Sequence, residues 1–330
     1  SVDIYQGSSS EEIRAQVDEQ WEGIMQALTL PPGEIEKRAD LGYTLDAETP
    51  SGQIDLDAKV TSANANELCV GIEEITDLFN DLHIGDGLPI VPPSPDRYQR
   101  MLSYCPWYPE TVLAKQIGPT GKDITVRDVA VAAVMAGCKP PHMPVLVTAF
   151  KALADPKYNF LQSVTTSHPG GNMILLSGPL AKELNIHAGQ GCIGPGFPAN
   201  MTIGRAVNLV LIGTCRSVPG FADLACISSQ AEITYCFAED PALSPWKTIN
   251  VERFDEKTTT VYALKAESPH YIIDFLSPTG GDLMDTLVDS CTTLGSNNSY
   301  MPGPLVLVIT PDLAILLHRD VWTKEMVREH

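Results

Sequence analysis

The sequence predicts a mixed α/β fold in a single compact body, on the basis of three observations. Short apolar runs rich in β-branched residues alternate with helical patterns through most of the chain. The longest helical run, which lies between residues 193 and 216, is apolar almost all round and is therefore typical of a core helix. No linker interrupts residues 70–330, and a chain of 330 residues is long enough for one large domain.

An acidic segment precedes this body. Residues 1–68 contain 14 acids and 4 bases, which is a net charge of −10. Three serines at 8–10 and two acids at 11–12 predict a helix start. The apolar stripe that follows consists of Ile13, Val17, Trp21, Ile24 and Leu28. We therefore predict an N-terminal extension over residues 1–68, acting as an arm, and a main α/β domain over residues 69–330.

The elements of the main domain follow from local start and stop signals. Proline after serine or threonine predicts helix starts near residues 95 and 311, and the β-branched run at 258–263 predicts a strand. The other predicted helices lie at about 66–82, 126–137, 145–153, 180–184, 203–212, 282–291 and 322–328. The other predicted strands lie at 173–176, 235–238 and 305–309.

Two loop–helix units, 117–139 and 193–216, repeat the same pattern. Each opens with Ile-Gly-Pro, and three later pairs of residues are all 77 positions apart. These pairs are Thr125 and Thr202, Cys138 and Cys215, and Lys139 and Arg216. We interpret the pattern as an internal duplication, against coincidence between two Ala/Val-rich helices. At the same offset Asp128 matches Arg205, so helices that cross or run antiparallel would form an ion pair there.

Composition excludes several classes of function. A formal charge of −19 argues against nucleic acid and anionic membrane as partners. No apolar run is long enough to span a bilayer, and the first residues carry no leader pattern. The eight cysteines include no C-x-x-C pair and no zinc-finger spacing, which indicates mostly free thiols in a reducing compartment. We therefore expect a cytoplasmic protein.

The loop that opens the second unit is the candidate substrate-binding site. A glycine-rich turn before a helix presents backbone N–H groups to an anion, and arginine adds a charged fork. The candidate binding residues are Cys192, Gly194, Gly196, Asn200, Thr202 and Arg205. The competing interpretation is that Thr202 caps the helix and Arg205 pairs with Asp128.

Four residues are candidate catalytic groups. Cys236 precedes Glu239 at a strand end, so it is the favoured nucleophile, followed by Cys192 near a helix N-terminus. His168 lies in a Gly/Pro loop and is the candidate general base. Glu239 and Asp86 would serve as acid/base or orienting carboxylates. The alternatives are structural thiols and an Asx-turn at Asp86.

The sequence contains no motif that requires a cofactor. Whether the protein binds one, and which one, is left open. His168, His187 and Cys192 would be the candidate ligands of a metal, but no local spacing supports a metal site.

Several motifs together resemble a known family. They are GDGLPIVPP at 85–93, AGCKP at 136–140, TTSHP at 165–169, ANMTIGRA at 199–206, Cys236 with Ala238-Glu239, and SPW at 244–246. The chain is similar, over about residues 70–330, to a poorly characterised family marked by GDGLPxVPPT. Members of that family resemble companions of the UGSC cysteine/selenocysteine proteins, sometimes within one polypeptide. The resemblance implies a UGSC-like partner domain but no particular reaction.

Two functional hypotheses follow. The first is an enzyme acting on a small anionic, carboxylate-bearing substrate by lyase, hydrolase or thiol-redox chemistry. The second is a non-catalytic binding or accessory subunit for a UGSC-like redox partner. In either case we expect a homo-oligomer.

Overall fold

The computed structural model describes residues 75–300 and 303–330, together with Glu11, Ala15, Asp18, Glu19 and Glu22. The chain divides into two units, residues 1–50 and residues 51–330. The five described N-terminal residues are helical and exposed. They lie between the positions of the predicted apolar stripe. That stripe and the predicted boundary at residue 68 lie outside the described residues.

The second unit is mixed α/β, as the sequence predicts. Residues 75–81 are helical. The longer helices are α1 (Pro95–Leu102), α2 (Val126–Ala136), α3 (Met143–Leu153), α6 (Pro198–Gly213), α8 (Gly280–Cys291) and α10 (Pro311–Arg319). The short helices are α4 (Phe160–Ser163), α5 (Pro179–Glu183), α7 (Ile249–Arg253), α9 (Asn297–Tyr300) and α11 (Lys324–Glu329).

The strands form two small sheets. An antiparallel hairpin pairs β1 (Val112–Ile117) with β2 (Lys122–Thr125). In the second sheet β3 (Gly171–Ser177) is central, β4 (Cys236–Ala238) is parallel to it and β5 (Thr260–Ala266) is antiparallel. Consequently the carboxyl ends of β3 and β4 share one edge with the start of β5. The amino ends of β3 and β4 share the opposite edge with the end of β5.

Helices α2 and α6 are the centre of the core. They run antiparallel, because Cys138 Sγ after α2 donates to Thr202 O near the start of α6 at 3.2 Å. At the other end, Thr120 Oγ1 before β2 donates to Thr214 O after α6 at 3.1 Å. Both helices are buried along most of their length, so the predicted core helix is confirmed. The duplication itself stays a prediction.

The two helices begin differently, and this corrects two expectations. Thr125 is the N-cap of α2, and its backbone N–H donates to Asp128 Oδ2 at 2.7 Å in a capping box. Arg205 replaces that aspartate in α6, so no such box forms and the helix begins earlier, at Pro198. Thr202 therefore lies inside the helix, where its Oγ1 donates to Pro198 O at 2.8 Å. Neither the Thr202 cap nor the Arg205–Asp128 ion pair occurs.

The predicted strand at 305–309 is wrong. Residues 303–310 belong to no helix or strand, and no strand pairs with them among the described residues. Ile309 packs against the cluster of Leu283 and Leu317, whereas Leu305 and Val308 remain 51% and 57% exposed. Apolar β-branched residues predict a strand, but they do not show whether a neighbouring strand is available.

Candidate functional site

Polar side chains gather at both edges of the β4-β3-β5 sheet. Glu239 follows β4 at the carboxyl edge, where α/β proteins often bind ligands. Its Oε2 accepts hydrogen bonds from Ser177 Oγ at 2.6 Å and from the Ile249 N–H at 2.8 Å. Its Oε1 lies 3.4 Å from Lys324 Nζ. Both oxygens of this predicted catalytic carboxylate are therefore engaged within the protein.

Asn250 completes the carboxyl edge and is 2% exposed. Its Nδ2 donates to Asp255 O at 3.0 Å and to Thr258 O at 2.9 Å, which closes the loop before β5. Its Oδ1 accepts from Thr248 Oγ1 at 2.6 Å. Since every polar atom of this amide has a partner, the carboxyl edge is built as a structural network.

Ion pairs from helix α11 cover the hydrogen-bond network of Glu239 and Asn250 on its solvent side. Lys324 Nζ lies 2.8 Å from Glu252 Oε1, and Arg328 Nη2 lies 2.9 Å from Glu252 Oε2. Burial alone would raise the pKa of Glu252, but the hydrogen bonds and charges of Lys324 and Arg328 together lower it. Helix α11 thus seals the carboxyl edge.

Asp86 and Arg205 were predicted to have separate roles, catalytic and substrate-binding, but they pair with each other. Arg205 Nε donates to Asp86 Oδ2 at 2.6 Å, and Nη2 donates to Oδ1 at 2.8 Å. The same Nη2 donates to Pro89 O at 3.0 Å. The Asp86 side chain is 7% exposed and also accepts from the Leu88 N–H in an Asx-turn. This geometry supports the structural interpretation of Asp86, with Arg205 holding the loop at 85–90.

The loop that was predicted to bind an anion, residues 191–200, directs its polar groups to partners within the protein. Asn200 is 1% exposed, and its Oδ1 accepts from the His187 N–H at 2.7 Å. Its Nδ2 donates to His187 O at 3.0 Å and to Cys192 O at 2.9 Å. The Gly194 N–H donates to Gly191 O at 2.8 Å, and Gly196 adopts a left-handed φ of 108°. The amide of Asn200 therefore shapes the loop and has no free donor for an anion.

The two predicted nucleophiles differ in access. Cys236 is buried within β4 at 3% exposure, and burial raises the pKa of its thiol. Cys192 is half-buried, and burial also raises its pKa. A raised pKa lowers the thiolate population on which nucleophilic attack depends. The geometry therefore does not support Cys236 as a nucleophile, because its position in a core strand removes it from solvent.

His168, the predicted general base, lies at the opposite edge of the sheet, just before β3. Its Nε2 is 2.6 Å from Glu267 Oε1, and Glu267 directly follows β5. The amide Nδ2 of Asn297, in α9, is 3.0 Å from the same imidazole nitrogen and donates to Glu267 Oε1. The side chains of His168 and Glu267 are 38% and 44% exposed, so both are accessible from solvent.

Glu267 sets the role of the imidazole. A carboxylate that accepts a hydrogen bond from Nε2–H places the free lone pair of the neutral ring on Nδ1. Among the described residues, no group donates to or accepts from Nδ1. A Cβ on Gly170 would lie 3.1 Å from Nδ1, so the glycine leaves that nitrogen accessible. In the tautomer that carries its hydrogen on Nε2, the ring is oriented by Glu267 and can take up a proton at Nδ1.

Lys265 lies beside this imidazole and was not among the predicted site residues. The same Gly170 Cβ position is 3.1 Å from Lys265 Cε, so both side chains flank one glycine. Burial lowers the pKa of Lys265, and the charges of Glu232 and Asp223 oppose part of that shift. In the part of the chain that the structure describes, no carboxylate lies within ion-pair distance of its ammonium. A half-buried, unpaired ammonium is suited to bind an anion.

Two further features distinguish this edge. The Cys226 N–H donates to Ser167 O at 3.4 Å, which places an exposed cysteine next to the His168 loop. Ser296 Oγ, beside Asn297, is the one buried side-chain polar atom without a partner in residues 75–300 and 303–330. We name His168, Lys265, Glu267 and Asn297 the His168 cluster. The sequence signal for Lys265 and Glu267 was their K-x-E spacing at the end of β5, because residues two apart in an extended chain point to the same side.

No group of three or more His, Cys, Asp or Glu side chains is arranged to hold a metal within the described ranges. No described helix is long and apolar enough to cross a bilayer. Comparisons with family models, with curated proteins and with solved structures find no match to this chain.

Proposed function

We propose that the chain is an enzyme that moves a proton on a small carboxylate-bearing substrate at the His168 cluster. The observation that carries the proposal is that His168 Nδ1 and the Lys265 side chain flank Gly170, and that neither group has an ion-pair or hydrogen-bond partner of its own there among the described residues. His168 takes or gives the proton, and Glu267 holds the ring in one tautomer. Lys265 attracts the substrate carboxylate and stabilises negative charge that develops beside it.

The test uses a panel of candidate substrates. Small 2-oxo, 2-hydroxy and 2-amino acids are incubated with the protein in D2O, and loss of C–H signals or product formation is followed by proton NMR. We expect at least one acid to exchange or react. Replacement H168Q lowers that rate by about a hundredfold or more, and K265M raises KM.

The matched control is K257M, which removes a lysine whose backbone, not its ammonium, makes the described contact to Asp255. The control keeps the wild-type rate. Equal rates in wild type and H168Q overturn the assignment of His168. Binding without any exchange points to the second candidate function.

That second candidate is an accessory subunit for a UGSC-like redox partner. Two observations favour it. The buried thiol of Cys236 would leave thiol chemistry to a partner. In addition, the irregular segment 271–276 exposes Phe275 and Leu276, each at 91%, as a partner-binding surface would. Under this candidate, turnover of the bound acid appears only when the partner is added.

A further inference from the structure

Arg216 is a buried cation that the His168 cluster does not use. The residue is 6% exposed and adopts a left-handed backbone conformation with φ 58°, which is uncommon for a non-glycine residue. Its Nη1 donates to Leu82 O and His83 O, each at 3.1 Å. Within the described ranges, its Nε and Nη2 have no hydrogen-bond partner and no carboxylate pairs with it. Three of the five guanidinium N–H groups, one on Nε and two on Nη2, therefore have no partner among the described residues.

The turn between β1 and β2 brings a second cation to this place. Thr120 Oγ1 donates to Thr214 O at 3.1 Å, and a Cβ on Gly118 would lie only 2.6 Å from Cys215 O. The turn thus packs directly against the residues that precede Arg216. The Lys122 N–H donates to Thr120 Oγ1 at 3.3 Å, so the first residue of β2 is held in the turn that packs against Thr214 and Cys215.

The charges at this place do not balance. Burial lowers the pKa of Lys122, the nearby charge of Arg216 lowers it further, and Asp128 opposes both. Asp128 Oδ2 already accepts from Thr125 N at 2.7 Å and from Thr125 Oγ1 at 2.6 Å in the capping box. Neither cation has an ion-pair partner among the described residues. Two partly desolvated cations and one carboxylate that is already engaged in the capping box leave one positive charge uncompensated.

We propose that Lys122 and Arg216 form a binding site for a small oxyanion, a phosphate or a carboxylate. The free N–H groups of the arginine fork match two oxygens of such a group, and the lysine supplies a point charge. An anion here also stabilises the junction of the β1–β2 turn, the end of α6 and the loop at 82–83. The site does not depend on proton transfer at His168.

The probe is inorganic phosphate at constant ionic strength set with chloride, so that general screening stays fixed. Phosphate affinity of the full chain is measured by calorimetry and by thermal unfolding, and acetate is titrated in parallel to distinguish phosphate from carboxylate specificity. We expect K122M to weaken binding by about tenfold or more, because one charge-assisted contact is lost. The control K115M removes an exposed lysine of the same hairpin and retains the wild-type affinity.

A second variant tests the site with a substitution that is expected to leave the protein folded. R216K keeps a positive charge but loses the fork, so it also binds phosphate more weakly while remaining folded by circular dichroism. Saturable binding of either anion that is reduced in K122M and R216K supports the site. No saturable binding, or equal loss in K115M, overturns it. Neither result requires turnover, so failure here is separate from failure of the proton-transfer proposal.

Discussion

The two edges of the β4-β3-β5 sheet use similar residues for different purposes. At the carboxyl edge, Glu239 and Asn250 have a partner for every side-chain oxygen and nitrogen, and α11 covers them. At the amino edge, His168 and Glu267 are about two-fifths exposed, and Lys265 has no ion pair among the described residues. Polar side chains whose hydrogen-bonding atoms all have partners within the protein therefore form a structural network. Exposed or unpaired polar side chains mark a place where a ligand can bind and react.

The largest expected effect on the free energy of unfolding comes from replacing Arg205, and replacing Lys265 provides the comparison. R205M leaves Asp86, 7% exposed, without its counter-charge, and we expect a loss of about 3–5 kcal/mol in the free energy of unfolding. K265M removes a desolvated, unpaired charge, so we expect a change within about 1 kcal/mol, towards greater stability. Urea denaturation at neutral pH measures both. A loss below about 1 kcal/mol in R205M contradicts the structural role of the ion pair.

The sequence predicted the positions of helices and strands better than it predicted which distant residues contact each other. Caps, prolines and apolar periodicity located α1, α3 and β3 closely because these signals are local. Asp86 and Arg205 were both recognised as important, yet they are 119 positions apart, and spacing alone does not show that they meet. His168 was recognised from its loop. Lys265 was not, because its chemistry arises from burial beside Gly170, and only the tertiary structure produces that burial.

Two asparagines, one at each edge of the sheet, test the same comparison, with an effect of intermediate size on the free energy of unfolding. N250A breaks three hydrogen bonds at a buried position and leaves Asp255 O and Thr258 O without a donor. We expect a loss of about 2–3 kcal/mol. N297A removes an exposed amide from the His168 cluster, so we expect less than about 0.5 kcal/mol. Denaturation curves measure both, and equal losses would show that saturation does not distinguish the two edges.

The smallest effect, expressed per pH unit, concerns the pH dependence of stability, and it arises from a buried histidine. His142 is 4% exposed, and its Nδ1 accepts from the Lys139 N–H at 3.3 Å. Burial, together with the charge of Lys139, lowers its pKa to about 4. The unfolded chain takes up this proton near an ordinary pKa of about 6.5, so it binds more protons than the folded chain between these values. Stability from this residue is therefore complete above that window and falls as the pH drops through it.

H142N keeps a neutral acceptor and removes the titration. Its free energy of unfolding, measured by urea denaturation from neutral to acidic pH, is expected to change less steeply than that of wild type within the window. The difference in slope is at most about 1.4 kcal/mol per pH unit, which corresponds to one proton. The lowered pKa of Glu252 affects stability at acidic pH in wild type and H142N alike, so it cancels in the difference between their curves. Parallel curves would show that His142 takes up a proton in the folded state as readily as in the unfolded state, and the contrast between the buried His142 and the exposed His168 would then fail.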